Sequence, residues 1–150
     1  MRLAEIMSTG VKTTSASVTA DAAYETMLRH GIRHLVVLEE GRVVGVLSDR
    51  DLGGRQGAQT RRGRSVADLM SHHTISATPH TSVKDAANLL RGRTIGCLPI
   101  MVKRKLVGIV TATDLLELLG RGVHRPTARA ERVPLTRATP GYGSRVGARA

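Results

Sequence analysis

The apolar positions change their period along the chain in an order that then repeats. Leu3 to Met7 has the spacing of a short amphipathic helix and Val11 to Thr14 reads as a brief strand. Thr19 stands before a longer stripe of Ala22, Ala23, Met27 and Leu28, which predicts a capped helix ending near Gly31. Two β-branched runs, HLVVL and RVVGVLS, flank a polar EEG and read as a β-hairpin. A closing helix is then expected from the S-D-R-D junction at 48–51. The second half follows the same order. Val66 to Met70 reads as a short helix, Thr74 to Ala77 as a strand, Pro79 as a turn, and Ser82-x-x-Asp85 as a capping box before Ala86, Ala87, Leu89 and Leu90. That helix should end near Arg93. CLPIMV and KLVGIVT form a second hairpin around KRK, and a last helix should run from the T-A-T-D junction at 111–114 through Leu115, Leu116, Leu118 and Leu119 to Gly120.

The two halves are copies of one unit. GVLSDRDL at 45–52 and GIVTATDL at 108–115 differ by a constant offset of 63, and the same offset pairs Val44 with Val107, Leu35 with Leu98, Ala23 with Ala86 and Met7 with Met70. The chain therefore divides into repeat one at 1–52, a basic linker at 53–64, repeat two at 65–120 and a tail at 121–150. The fold class is α/β in the α+β sense, with two helix-strand-helix-strand-strand-helix units related by a pseudo-twofold axis. Each copy is smaller than a usual domain, so the two are expected to share one core.

Composition narrows the functions. With no Trp, no Phe and two Tyr among 150 residues, the core is aliphatic, and nothing is left for an aromatic platform on which single-stranded nucleic acid could stack. The net charge of +11 is local: residues 53–64 carry four arginines and no acid, and residues 121–150 carry seven against Glu131. Those segments hold ten of the eleven charges, so the basic character belongs to linker and tail. The tail contains three of the five prolines and no apolar period, which predicts disorder beyond about residue 122. Such a tail can touch nucleic acid only non-specifically.

Cys97 is the single cysteine and falls at a strand position where small apolar residues pack, so a buried, inert thiol is expected. One cysteine, a glutamate early in MRLAEIMSTG and no long apolar window point to a cytoplasmic protein with neither leader nor membrane span. His72 and His73 are adjacent without a supporting carboxylate or thiol cluster, so no metal site is expected. No nucleophile-base-acid set, paired carboxylates or glycine-rich phosphate loop stands out, and the chain reads as non-enzymatic.

The repeated frame resembles the cystathionine-beta-synthase (CBS) domain family, whose members occur as tandem pairs called Bateman modules. The resemblance spans residues 1–120. It rests on the hairpin followed by a G-h-h-S/T-x-x-D signature, present as Gly45, Ser48 and Asp51 and again as Gly108, Thr111 and Asp114. A stand-alone pair of this size looks like the bacterial stress-associated CBS proteins, including the hypoxic-response type.

The resemblance implies a cleft between the repeats for an adenosine-containing ligand: AMP, ADP, ATP or S-adenosylmethionine. It gives the ribose hydroxyls to Asp51 and Asp114, and phosphate to Ser48, Thr111 and neighbouring Arg33, His34, Arg50 and Thr113. It places adenine-edge contacts on backbone near Val11 to Thr14 and Thr74 to Thr78. The chemistry is apt, since an ionised carboxylate is acceptor-only and suits a diol, while a helix N-terminus favours an anion. Yet Ser48-x-x-Asp51 and Thr111-x-x-Asp114 are equally capping boxes, worth about 1 kcal/mol each with no ligand.

Two readings follow from the family. One is an energy or stress sensor with an adenine nucleotide as regulatory ligand and no required cofactor; the other is a ligand-free dimerisation scaffold whose Arg-rich tail contacts a partner or nucleic acid. A homodimer is expected through apolar helix faces bearing Met7, Met70, Leu116 and Leu119. Repeat one offers Arg33, His34, Ser48, Arg50 and Asp51, and repeat two only Thr111, Thr113 and Asp114, so a phosphorylated ligand is expected to depend mainly on the first set.

Overall fold

The computed structural model describes residues 1–72, 75–93 and 95–121. Its elements follow the repeat. A 3-10 turn at Leu3–Glu5 leads to β1 (Thr13–Thr14), α1 (Ala20–His30), β2 (His34–Glu39) and β3 (Arg42–Ser48). A second 3-10 turn at Gly54–Gln56, α2 (Ala58–Arg61) and α3 (Val66–Leu69) connect to α4 (Val83–Arg93), β4 (Cys97–Val102), β5 (Lys105–Thr111) and α5 (Ala112–Arg121). The Thr19 side chain accepts from the Ala22 N–H to start α1, and Gly31 in the left-handed region ends it. Ser82 and Asp85 bond each other at the start of α4.

In repeat one β1 runs parallel to β2, which pairs antiparallel with β3; in repeat two β4 pairs antiparallel with β5. The offset of 63 survives in the register: Val37 faces Gly45 and Ile100 faces Gly108, each beside a register shift. The strand expected from Val11 shortens to Thr13–Thr14. Its counterpart at Thr74 to Ala77 is, among the described residues, only a bridge from Ala77 to Ile100.

The repeats exchange their opening segments. Leu3 and Ile6 belong to the core of repeat two, with Ala86, Leu90, Leu98, Ile100 and Val110. Val66 belongs to the core of repeat one, with Ala23, Met27, Leu35 and Leu47. The exchange is built symmetrically from backbone bonds: Leu3 N–H donates to the Thr81 carbonyl at 2.9 Å and Val66 N–H to that of Val18 at 2.8 Å. Further on, Ser8 pairs with Ile109 and Ser71 with Val46. A third cluster, Val36, Val46, Cys97 and Ile109, joins one sheet to the other. The single shared core expected from size is thus three clusters, because each opening segment crosses to the partner repeat before its own sheet begins.

Two further expectations are corrected. The closing helix of repeat one stops after a single turn over 48–52. Gly53 takes φ 81°, and Gly54 N–H donates back to the Asp49 carbonyl, a left-handed cap that turns the chain away. In repeat two no glycine stands at the equivalent position and α5 continues to Arg121. Met7 and Met70 do not form an outer face either, since both are half-buried against the exchanged cores. Leu116 and Leu119 do stay outside, at 67% and 77% exposure.

The linker is folded rather than merely solvated. Arg61 is buried, with its Nη1 donating to the carbonyls of Leu52 at 2.9 Å and Gly54 at 2.8 Å. Its Nε reaches Asp21 at 3.1 Å, and the guanidinium lies 3.9 Å from the Tyr24 ring centroid. The disordered tail expected beyond about residue 122 lies outside the described residues.

Candidate functional site

Both signature junctions are reciprocal capping boxes. Ser48 N–H donates to Asp51 Oδ2 at 2.9 Å and Asp51 N–H to Ser48 Oγ at 3.0 Å; the Thr111 and Asp114 bonds are 2.8 and 3.1 Å. The caps fix each carboxylate where the hairpin strand leaves the sheet. Capping accounts for this geometry on its own, so the surroundings must decide what else the carboxylates do.

Those surroundings differ. Asp114 opens on a cavity of about 660 Å³ walled by Ser8, Gly10, Val11 and Lys12 of repeat one, by the end of α1 with Arg33 and His34, and by Ile109, Thr111, Thr113 and Glu117. Its size falls within the usual range for small-molecule sites. The structure therefore brings Arg33, His34, Thr111, Thr113 and Asp114 together. Lys12, which carries no motif of its own, joins them on the cavity wall from the end of the opening segment. Ser48 and Asp51 do not line this cavity, and Arg50 is exposed on the turn at 48–52. His34 therefore stands between the two signatures: it pairs with Ser48 across the β2–β3 register and feels the charge of Asp51, while with Arg33 it also lines the cavity at Asp114.

Gly96 leaves room for the His34 ring. A Cβ there would lie 2.7 Å from His34 Nε2, so the imidazole occupies space that a side chain at the Arg33-equivalent position would need. Around Asp51 the residues equivalent to Arg33 and His34 are Gly96 and Cys97. Cys97 is buried as expected, and its thiol is pushed up to about 12, first by desolvation and then by the negative charge of Asp51. Burial holds the His34 imidazole below its ordinary value; Asp49, Asp51 and Asp114 pull it upward and Arg33 downward. Neutral near pH 7, His34 can gain a proton when a further negative charge arrives.

Gly45 and Gly108 have a structural reason to be glycine. A Cβ on Gly45 would meet the Ser71 carbonyl at 2.6 Å, and one on Gly108 would meet Met7 Sδ at 2.8 Å and the Ser8 carbonyl at 3.1 Å. Each lies beneath the segment crossing from the other repeat.

Among the described residues no three His, Cys, Asp or Glu side chains gather as a metal site, and His73 lies outside them. No described helix is long and apolar enough to cross a membrane.

A pair of exchanged α+β repeats around an interrepeat cavity defines the class. The CBS domain family model matches residues 3–52 and again 66–121, and the chain belongs to that family as a tandem pair. It is 38% identical over 112 residues to the CBS domain-containing protein YhcV of Bacillus subtilis, covering 74% of this chain and 80% of that one. The CBS domain pair of protein MJ0100, solved with 5′-methylthioadenosine and S-adenosyl-L-methionine, superposes with a TM-score of 0.73 at 24% identity, over 81% of this chain and 97% of that one. CBSX2, solved in complex with AMP, superposes with a TM-score of 0.66 at 25% identity, over 80% and 96%.

Proposed function

We propose that this chain is a non-enzymatic regulatory module that binds a phosphorylated adenosine compound in the cavity at Asp114. The observation that carries the reading is the convergence of Asp114 and Thr111 with Lys12, Arg33 and His34 on one cavity. A carboxylate suited to a ribose diol stands there beside three basic side chains suited to phosphate. The AMP complex of CBSX2 supports the ligand class. The half-site at Asp51, with glycine and a protonated thiol in the basic places, takes an uncharged adenosyl group at most. A sensor of this kind acts by binding one of two states more tightly. A homodimer joined through exposed Leu116 and Leu119 supplies those states, and sedimentation should show a dimer at tens of micromolar. The scaffold reading, with a ligand-free dimer and an active tail, is favoured only if no adenosine compound binds.

His34 gives the reading a pH signature. A phosphate dianion beside it raises its pKa, so binding takes up a proton and AMP affinity should rise several-fold from pH 8 to pH 6.5. AMP itself protonates with a pKa near 6, and His34→Gln retains that background while removing the imidazole. Calorimetry should therefore show a flatter pH dependence in His34→Gln. An identical dependence in both proteins would rule out phosphate at His34.

A further inference from the structure

The second hairpin tip carries a feature that the adenosyl reading does not use. Lys103 and Arg104 form a two-residue turn with φ 48° and 67°, both left-handed. The equivalent turn in repeat one is Glu40 and Gly41, where glycine takes the second position at no steric cost. An L-residue in that region is disfavoured, so a cation is held at position 104 against the local preference of the backbone. With Lys105 it makes three consecutive cations where repeat one has Glu40, Gly41 and Arg42. All three line a separate cavity of about 430 Å³, bounded by Gly41 and by the segment through Gly10, Val11 and Thr13, and no acidic residue lines it.

We propose that this cavity is a second ligand site, specific for a multiply charged phosphoryl anion. Several cations on one concavity suit a group with several anionic oxygens; a monocarboxylate would engage one of them. The site stands independently of the adenosyl reading, although Gly10 and Val11 wall both cavities.

The test is a titration of inorganic tripolyphosphate into the 15N-labelled full chain at about 0.1 M salt, where exposed charges beyond about 10 Å are screened. The amide signals of Gly41, Leu106 and Val107 should shift saturably, and should do so equally in Asp114→Asn, which separates this site from the first. Lys103→Gln/Arg104→Gly/Lys105→Gln should weaken the response at least about tenfold, the scale of losing one or more charge-assisted bonds. Arg104→Gly alone should weaken it while melting no lower than wild type, because glycine relaxes the turn. Shifts confined to Lys12, Arg33 and His34 or to residues beyond 121, or an undiminished response in the triple variant, would overturn the proposal.

Discussion

Gly45→Ala is expected to lower unfolding stability by about 3 kcal/mol, and Gly108→Ala by about half as much, although the two positions are equivalent in the repeat. Overpacking a filled core costs roughly 1–3 kcal/mol, and the amount depends on what can move. At Gly45 the first obstacle is the Ser71 carbonyl at 2.6 Å, with Met70 Sδ behind it at 3.0 Å. That carbonyl accepts from the Val46 N–H, so relieving the clash means breaking the pairing that ties the crossing segment to β3. At Gly108 the nearest atom is the flexible end of Met7, and the Ser8 carbonyl stands back at 3.1 Å. Urea unfolding of both variants measures the difference. A reversed order would mean that the crossings do not bear on these glycines.

Arg61→Ala should cost about 3 kcal/mol, and Arg61→Lys should recover less than half of it. The side chain is 7% exposed and makes two bonds to backbone carbonyls, which truncation would leave buried without their partner. Lysine cannot reproduce the planar fork or its stacking on Tyr24. The ion pair is the smaller contribution, because Asp21 is 65% exposed and water screens it. Asp21→Asn is therefore expected to cost under about 1 kcal/mol. Thermal melts of the three variants suffice. A loss in Asp21→Asn as large as in Arg61→Ala would place the stabilisation in the ion pair instead.

The hairpins, the longer helices and the repeat were legible because each rests on local information. Apolar, β-branched-rich runs around short polar turns define β2–β3 and β4–β5, and Thr19 and Ser82 mark helix starts by their own side-chain bonds. The exchange of opening segments was not, since an apolar stripe shows which face of Leu3 to Met7 is buried but not in whose core. The two signature carboxylates were legible as residue types at a fixed spacing. Their surroundings were not, because Lys12, Arg33 and His34 meet Asp114 on one cavity only through the packing of one repeat against the other. Arg61 shows the same limit in a charge run: four arginines between 53 and 64 look alike in sequence, and tertiary contacts alone single one out for burial.

The most direct measurement is calorimetric titration of AMP into wild type, Asp114→Asn and Asp51→Asn, with melting curves alongside. Both variants keep a side-chain oxygen for the cap, so both should retain stability to within about 1 kcal/mol. Asp114→Asn should weaken AMP by roughly 1.5–3 kcal/mol, the scale of hydrogen bonds to a charged group, while Asp51→Asn changes it little. Equal losses in both variants, or a larger loss in Asp51→Asn, would contradict a phosphate-binding cavity built at Asp114, and unchanged affinity in both would remove the site altogether.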